Sequence, residues 1–163
     1  MTHKISSLLK FSVFIFALAA SACAQKPIGS SSAVTYTIRL KPHADLKQEL
    51  QRITQEHHLQ AAVIVSSVGS LEKVSLRLAN DEKVTNFAGY HEIVALNGTL
   101  SEAGLHVHLA ASDKTGKTVG GHLVEGNIIY TTCELVIIEQ TDLRFLREKD
   151  ETYGYNELTV MSR

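Results

Sequence analysis

The chain predicts an α+β domain: a largely antiparallel β-sheet of about six to eight strands with one main helix. Runs of alternating and β-branched residues recur along it, separated by turn signals, whereas one stretch alone carries apolar residues at helical spacing. No strand–glycine-rich loop–helix unit occurs, which argues against a parallel dinucleotide-binding sheet. The length, 163 residues, fits one domain, and 44% hydrophobic content is enough for a core without disulfide staples.

Residues 1–22 read as a secretory signal peptide rather than as part of the fold. Lys4 and Lys10 precede the ten-residue stretch "FSVFIFALAA", and the small residues of "SACAQ" follow. Ten residues are too few for a spanning helix, which needs roughly 20. "AASAC" resembles a bacterial lipobox, with Ala20 where leucine is usual. Cys23 is then the lipidation residue, and the chain is anchored to a membrane without crossing it. Ordinary cleavage after Ala22 or Ala24 is the other reading. Residues 23–33, small and polar with Pro27 and Gly29, form a linker. The domain takes residues 34–163. The expected location is outside the cytoplasm of a bacterium, in the periplasm or on the membrane as a lipoprotein.

Within the domain, Val34–Pro42 alternates and is rich in β-branched residues, so it predicts a strand. Ala44–His58 predicts the helix, with Leu46, Leu50 and Ile53 at i, i+4, i+7. Leu59–Ser70 predicts a buried strand ending at Gly69, and Leu71–Ala79 a second one. Asn80–Lys83 is a turn. His91–Ser101 predicts a strand with a bend or bulge near Asn97–Gly98. Asn127–Gln140 is a long β-type run. The tail after it predicts a short helical or irregular piece and a last strand, Asn156–Met161.

Between these lies "GLHVHLAASDKTGKTVGGHL", Gly104–Leu123, which holds three of the chain's eight histidines. A three-residue turn, Lys114-Thr115-Gly116, with glycine at the left-handed position, would make it a hairpin. Asp113 then faces Lys117, His108 faces His122, and His106 lies two residues along on the same face. Opposed Cβ atoms in a sheet are ~5 Å apart and diagonal ones ~7–8 Å. Three imidazoles so placed can converge on one divalent transition metal such as zinc, with bonds of ~2.0–2.1 Å and a fourth position open. Glu125 and Glu134 are the candidate fourth ligand or acid/base. The alternative is a strand whose histidines serve structural hydrogen bonds. Of the others, His57 and His58 suit a helix C-terminus, His43 a turn or cap, and His91 a strand surface.

Other chemistry is sparse. Ser66–Ser67 lacks a G-x-S-x-G context, and Cys133 in mid-strand reads as a small buried hydrophobe. Without residues 1–22, Lys plus Arg falls from 16 to 14 against 17 acids, a net charge of about −3. Such a balance is poorly suited to phosphate backbones, so no nucleic-acid partner is expected.

Residues 89–137, "GYHEIVALNGTLSEAGLHVHLAASDKTGKTVGGHLVEGNIIYTTCELVI", resemble the PPC domain, the plant-and-prokaryote conserved domain also found in AT-hook nuclear proteins. The similar elements are Glu92-Ile93 before Leu96-x-Gly98, then His106-x-His108, Gly116, Gly120-Gly121-His122, Gly126 and Glu134. "VGSLEKVSLRL" and "ETYGYNEL" fit as well, so the likeness covers about residues 34–160. His91 stands where an aromatic residue is usual. The resemblance implies a homotrimer and a metal, usually zinc, on His106, His108 and His122. It also brings a DNA-binding label, which suits this chain badly: no basic AT-hook is present. The leading expectation is an exported, lipid-anchored, homotrimeric metal-binding domain without proven catalysis. A DNA-binding protein and a metal-dependent hydrolase or lyase are the alternatives.

Overall fold

The computed structural model describes residues 30–163. The expected signal peptide, Cys23 and most of the linker lie outside the described residues. The fold takes up the chain slightly earlier than expected. Asp142 Oδ2 accepts from Ser32 N at 2.7 Å, and the first strand, β1, spans Ala33–Leu40. The linker therefore ends at its last described residues, which are already tied to the domain.

The remaining elements are α1 (Leu46–Glu56), β2 (Ala62–Arg77), β3 (Val84–Ser101), β4 (Gly104–Asp113), β5 (Thr118–Leu123), β6 (Ile128–Gln140), β7 (Leu143–Lys149) and β8 (Asn156–Ser162). Eight strands and one helix among the described residues match the predicted class. Six strands form an antiparallel sheet in the order β1-β6-β2-β3-β4-β5, and β7 pairs with β8 in a separate ribbon. The large sheet curls until β5 also pairs with β2, at Leu76–Leu123 and Arg77–His122. That closure decides the shape of the functional end. No described helix is long and apolar enough to cross a membrane.

The helix forms where the apolar stripe predicts it. Leu46, Leu50 and Ile53 are buried in the main core, which they share with residues of β2, β3, β4 and β6. Asp45 caps it: Oδ1 accepts from Lys47 N at 3.0 Å and Gln48 N at 3.2 Å, and Oδ2 from Gly126 N at 2.6 Å. One side chain thus starts the helix and holds the β5–β6 turn. Asn127, fully buried, completes that turn by donating to Ser75 O and Val124 O and accepting from Ser75 N.

Four expectations need correction. The two strands expected over Leu59–Ala79 are one strand, β2; register shifts between Ile64 and Ser66, and again near Leu71, let it continue through Gly69. β3 begins at Val84, not His91, and its irregularity lies between Ile93 and Ala95, while Asn97 and Gly98 pair in register with His108 and Val107. The tail piece is a strand, β7, whose Leu143 and Phe145 bury against Ala61. His91 is buried, its Nδ1 2.8 Å from Gly89 O, so it is no surface residue.

Candidate metal centre

The hairpin forms as the turn spacing predicts. Asp113 N donates to Lys117 O at 3.0 Å, Gly116 N to Asp113 O at 2.9 Å, and Gly116 has φ +84°. The Asp113 carboxylate ties the loop by accepting from Thr115 N, Thr115 Oγ1 and Lys117 N. The first of these partners, Thr115, does most to hold that carboxyl below its ordinary range. From this turn the register runs without a shift to His108 opposite His122.

Along β4 the two faces separate cleanly. Val107, Leu109 and Ala111 enter the core, while His106 and His108 point outward. His122 is half-buried because β5 turns back onto β2 there. Gly121 makes that approach possible: a Cβ on it would lie 2.7 Å from Arg77 O, inside contact distance. Of the glycine pair before His122, Gly121 is the one that close approach requires; a Cβ on Gly120 would make only an ordinary contact, 3.5 Å from Leu109 O.

The three rings gather tightly. Centroids are 5.1 Å apart for His106–His108, 5.2 Å for His106–His122 and 4.5 Å for His108–His122. One ring nitrogen from each lies within 4.8 Å of the others. A tetrahedral ion with bonds of ~2.0–2.1 Å spaces its ligands about 3.3–3.4 Å apart, so small side-chain rotations would close the set. None of the three rings hydrogen-bonds to the described protein. By contrast His43 meets Glu72 at 2.7 Å, His58 meets Glu102 at 3.0 Å and His91 meets a carbonyl. His57, the helix C-cap, packs its ring at a tilt against Tyr36.

Desolvation pushes the His122 imidazole down to about 4, with Arg77 and the two other imidazoles adding to it. His106 is pushed down too, by desolvation first and Arg147 next. Both rings are thus neutral at pH 7 and offer a lone pair, the form a metal requires. Three imidazoles meet the donor chemistry of a divalent transition metal and leave one position open.

Glu125 and Glu134 are both exposed and neither belongs to the cluster. Glu134 sits on β6 between Arg39 of β1 and Val68 of β2, with β2 and β3 lying between β6 and β4. Instead, Arg77 lies across from His122, and a cleft of about 670 Å³ opens beside His106 and His122. Arg77 and Arg147 line it. No spacing in the sequence announces either, since one depends on β5 reaching β2 and the other on where the β7–β8 ribbon lies. Cys133 is buried, and its thiol is pushed up to about 12 by desolvation, which makes it inert.

The family model of the Plants and Prokaryotes Conserved (PCC) domain matches residues 29–141. The chain belongs to the PCC domain family. This PCC domain is 43% identical over 141 residues to the bifunctional protein GlmU of Synechococcus sp. (strain JA-3-3Ab), covering 86% of the chain and 23% of that protein. A second GlmU, from Synechococcus sp. (strain JA-2-3B'a(2-13)), is 42% identical with 83% and 21% covered. The chain therefore spans less than a quarter of the length of the curated relatives it matches. Among solved structures, a hypothetical protein from Salmonella cholerae-suis is 41% identical with a TM-score of 0.82, covering 84% of this chain and 99% of that one. A metal-containing protein from Archaeoglobus fulgidus shares the fold at 21% identity and TM-score 0.71, over 82% and 99% of the two chains. A plant- and prokaryote-conserved protein from Pyrococcus horikoshii does so at 24% and 0.69, over 83% and 98%.

Proposed function

We propose that this PCC domain binds a divalent transition metal, zinc by preference, through His106, His108 and His122, and that it works as an exported, lipid-anchored homotrimer. One observation carries the metal reading: three imidazoles whose nitrogens lie within 4.8 Å of one another have no hydrogen-bond partner among the described residues. Structural histidines are normally satisfied, as His43, His58 and His91 are here. The same fold in a metal-containing protein supports the reading.

Metal analysis of protein purified without a histidine tag tests it. One ion per chain is expected in the wild type, falling to a small fraction in His106→Ala and in His122→Ala. A wild type without stoichiometric metal overturns it.

Self-association has support from the sheet surface. Val65, Val68 and Val94 are each more than half exposed on β2 and β3. Nearby, Tyr90 of β3 and Tyr130 of β6, strands on either side of β2, pack with their rings tilted and centroids 4.4 Å apart. Exposed apolar groups of this kind mark interaction surfaces. Export and anchoring rest on the pattern of residues 1–23. A hydrolase or lyase would need an acid or base at the open position, and the expected Glu125 and Glu134 are absent from the cluster. DNA binding would need a basic stripe, which a net charge of about −3 does not favour.

A further inference from the structure

The cleft beside His106 and His122, about 670 Å³, has the size of a small-molecule site. Its charges are unbalanced. Lys47 from α1, Arg77 from β2 and Arg147 from β7 line it, against one carboxylate, Glu157. Among the described residues none of the three cations is in a salt bridge. Arg77 donates to the Asp81 carbonyl at 3.3 Å and Arg147 to the Thr99 hydroxyl. A guanidinium has five N–H donors, so each keeps most of them for a ligand. Three cations from separate elements, gathered in a half-enclosed cleft, repel one another and focus a positive potential into it. A planar guanidinium fork matches the oxygens of a carboxylate or phosphate. His108 does not line the cleft, so the histidine cluster borders it through His106 and His122 alone.

We propose that this cleft binds a small oxyanion-bearing molecule, a carboxylic acid or a phosphate ester, with its anionic group held between Arg77 and Arg147. Both arginines keep their heads on backbone or hydroxyl oxygens and out of ion pairs among the described residues, with Glu157 the one carboxylate whose charge reaches Arg147. The volume admits an organic body behind the anionic group, and Tyr155, from the segment joining β7 and β8, provides a flat wall for it. The inference extends the metal reading at the same site, but it rests on the arginines.

Calorimetric titration of the full-length protein, zinc-loaded and metal-free, tests it with succinate, glycerol 3-phosphate and inorganic phosphate, and with glycerol as the neutral control. At least one organic anion is expected to bind at one per chain, with no heat from glycerol. Arg77→Gln and Arg147→Gln should each weaken it by about tenfold or more. Arg144→Gln, on the same strand as Arg147 but outside the cleft, should leave it unchanged. Thermal melts show that the variants fold. Inorganic phosphate binding as tightly as the esters, with the same arginine dependence, supports the cradle and names free phosphate as the source. No binding by any of the anions, or binding indifferent to both substitutions, overturns the inference. Arginine-dependent binding to protein that takes up no zinc keeps it and removes the metal reading. Zinc binding with no anion binding does the reverse.

Discussion

Gly121 shows how much one missing side chain can decide. Its hydrogen faces Arg77 O, where a methyl group would stand at 2.7 Å. Gly121→Ala must push β5 off β2, an overpacking cost of about 1–3 kcal/mol. A fall of several degrees in Tm is expected. Because His122 follows directly, zinc affinity should fall with it, which a competition titration would show. An alanine variant as stable as the wild type would refute the closure of β5 on β2. At this scale the site was partly legible. The H-x-H and G-G-H residues stand out because the chemistry of imidazole is visible in one letter. Arg77 and Arg147 do not, because an arginine acquires meaning here from what the fold sets beside it. The burial of His91 was hidden for the same reason: alternation alone does not say which face is covered on a strand that bends.

At the scale of elements, the β4–β5 hairpin was the most legible part of the fold. A three-residue turn with glycine at positive φ leaves one register, and that register puts His108 opposite His122. The long strands were harder. Gly69 reads as a strand end, yet bulges let β2 run on for 16 residues. The turn also has a pH dependence with a definite sign. The Asp113 carboxyl is held low by its bonds from Thr115 and Lys117. Its contribution to the turn is therefore complete above the unfolded value of about 3.9 and is lost as pH falls through the lower folded value. In an NMR titration the Lys117 amide should shift with a midpoint below about 3.9, and Asp113→Ala should abolish that step. A midpoint at or above the ordinary value would show that these bonds do little.

At the scale of the whole molecule, the exposed apolar side chains of β2 and β3 are where the proposed trimer would form. Val68 is 63% exposed and Val94 54%, and they lie next to the register pair Gly69–Ile93. If the trimer forms through this face, Val68→Asp should convert it to monomer in light-scattering mass measurements while the far-ultraviolet spectrum stays unchanged. A variant that remains trimeric would move the interface elsewhere. The N-terminal pattern makes a second prediction at this scale. Cys23→Ser should release the protein from the membrane fraction into the soluble fraction, and an unchanged distribution would favour ordinary cleavage.

The alternation along β4 has one more consequence. Its odd-numbered side chains from Val107 to Ala111 fill the core, while His106 and His108 look outward. Inserting a single residue ahead of His106 would exchange the two faces, driving imidazoles into the core and valine and leucine into water. The same strand cannot drift by one position. Its histidines can migrate during divergence only in steps of two, with a matching change in β5 at each step. The spacing H-x-H is thus a counting rule imposed by the pleat, and an alignment that violates it would describe a different site.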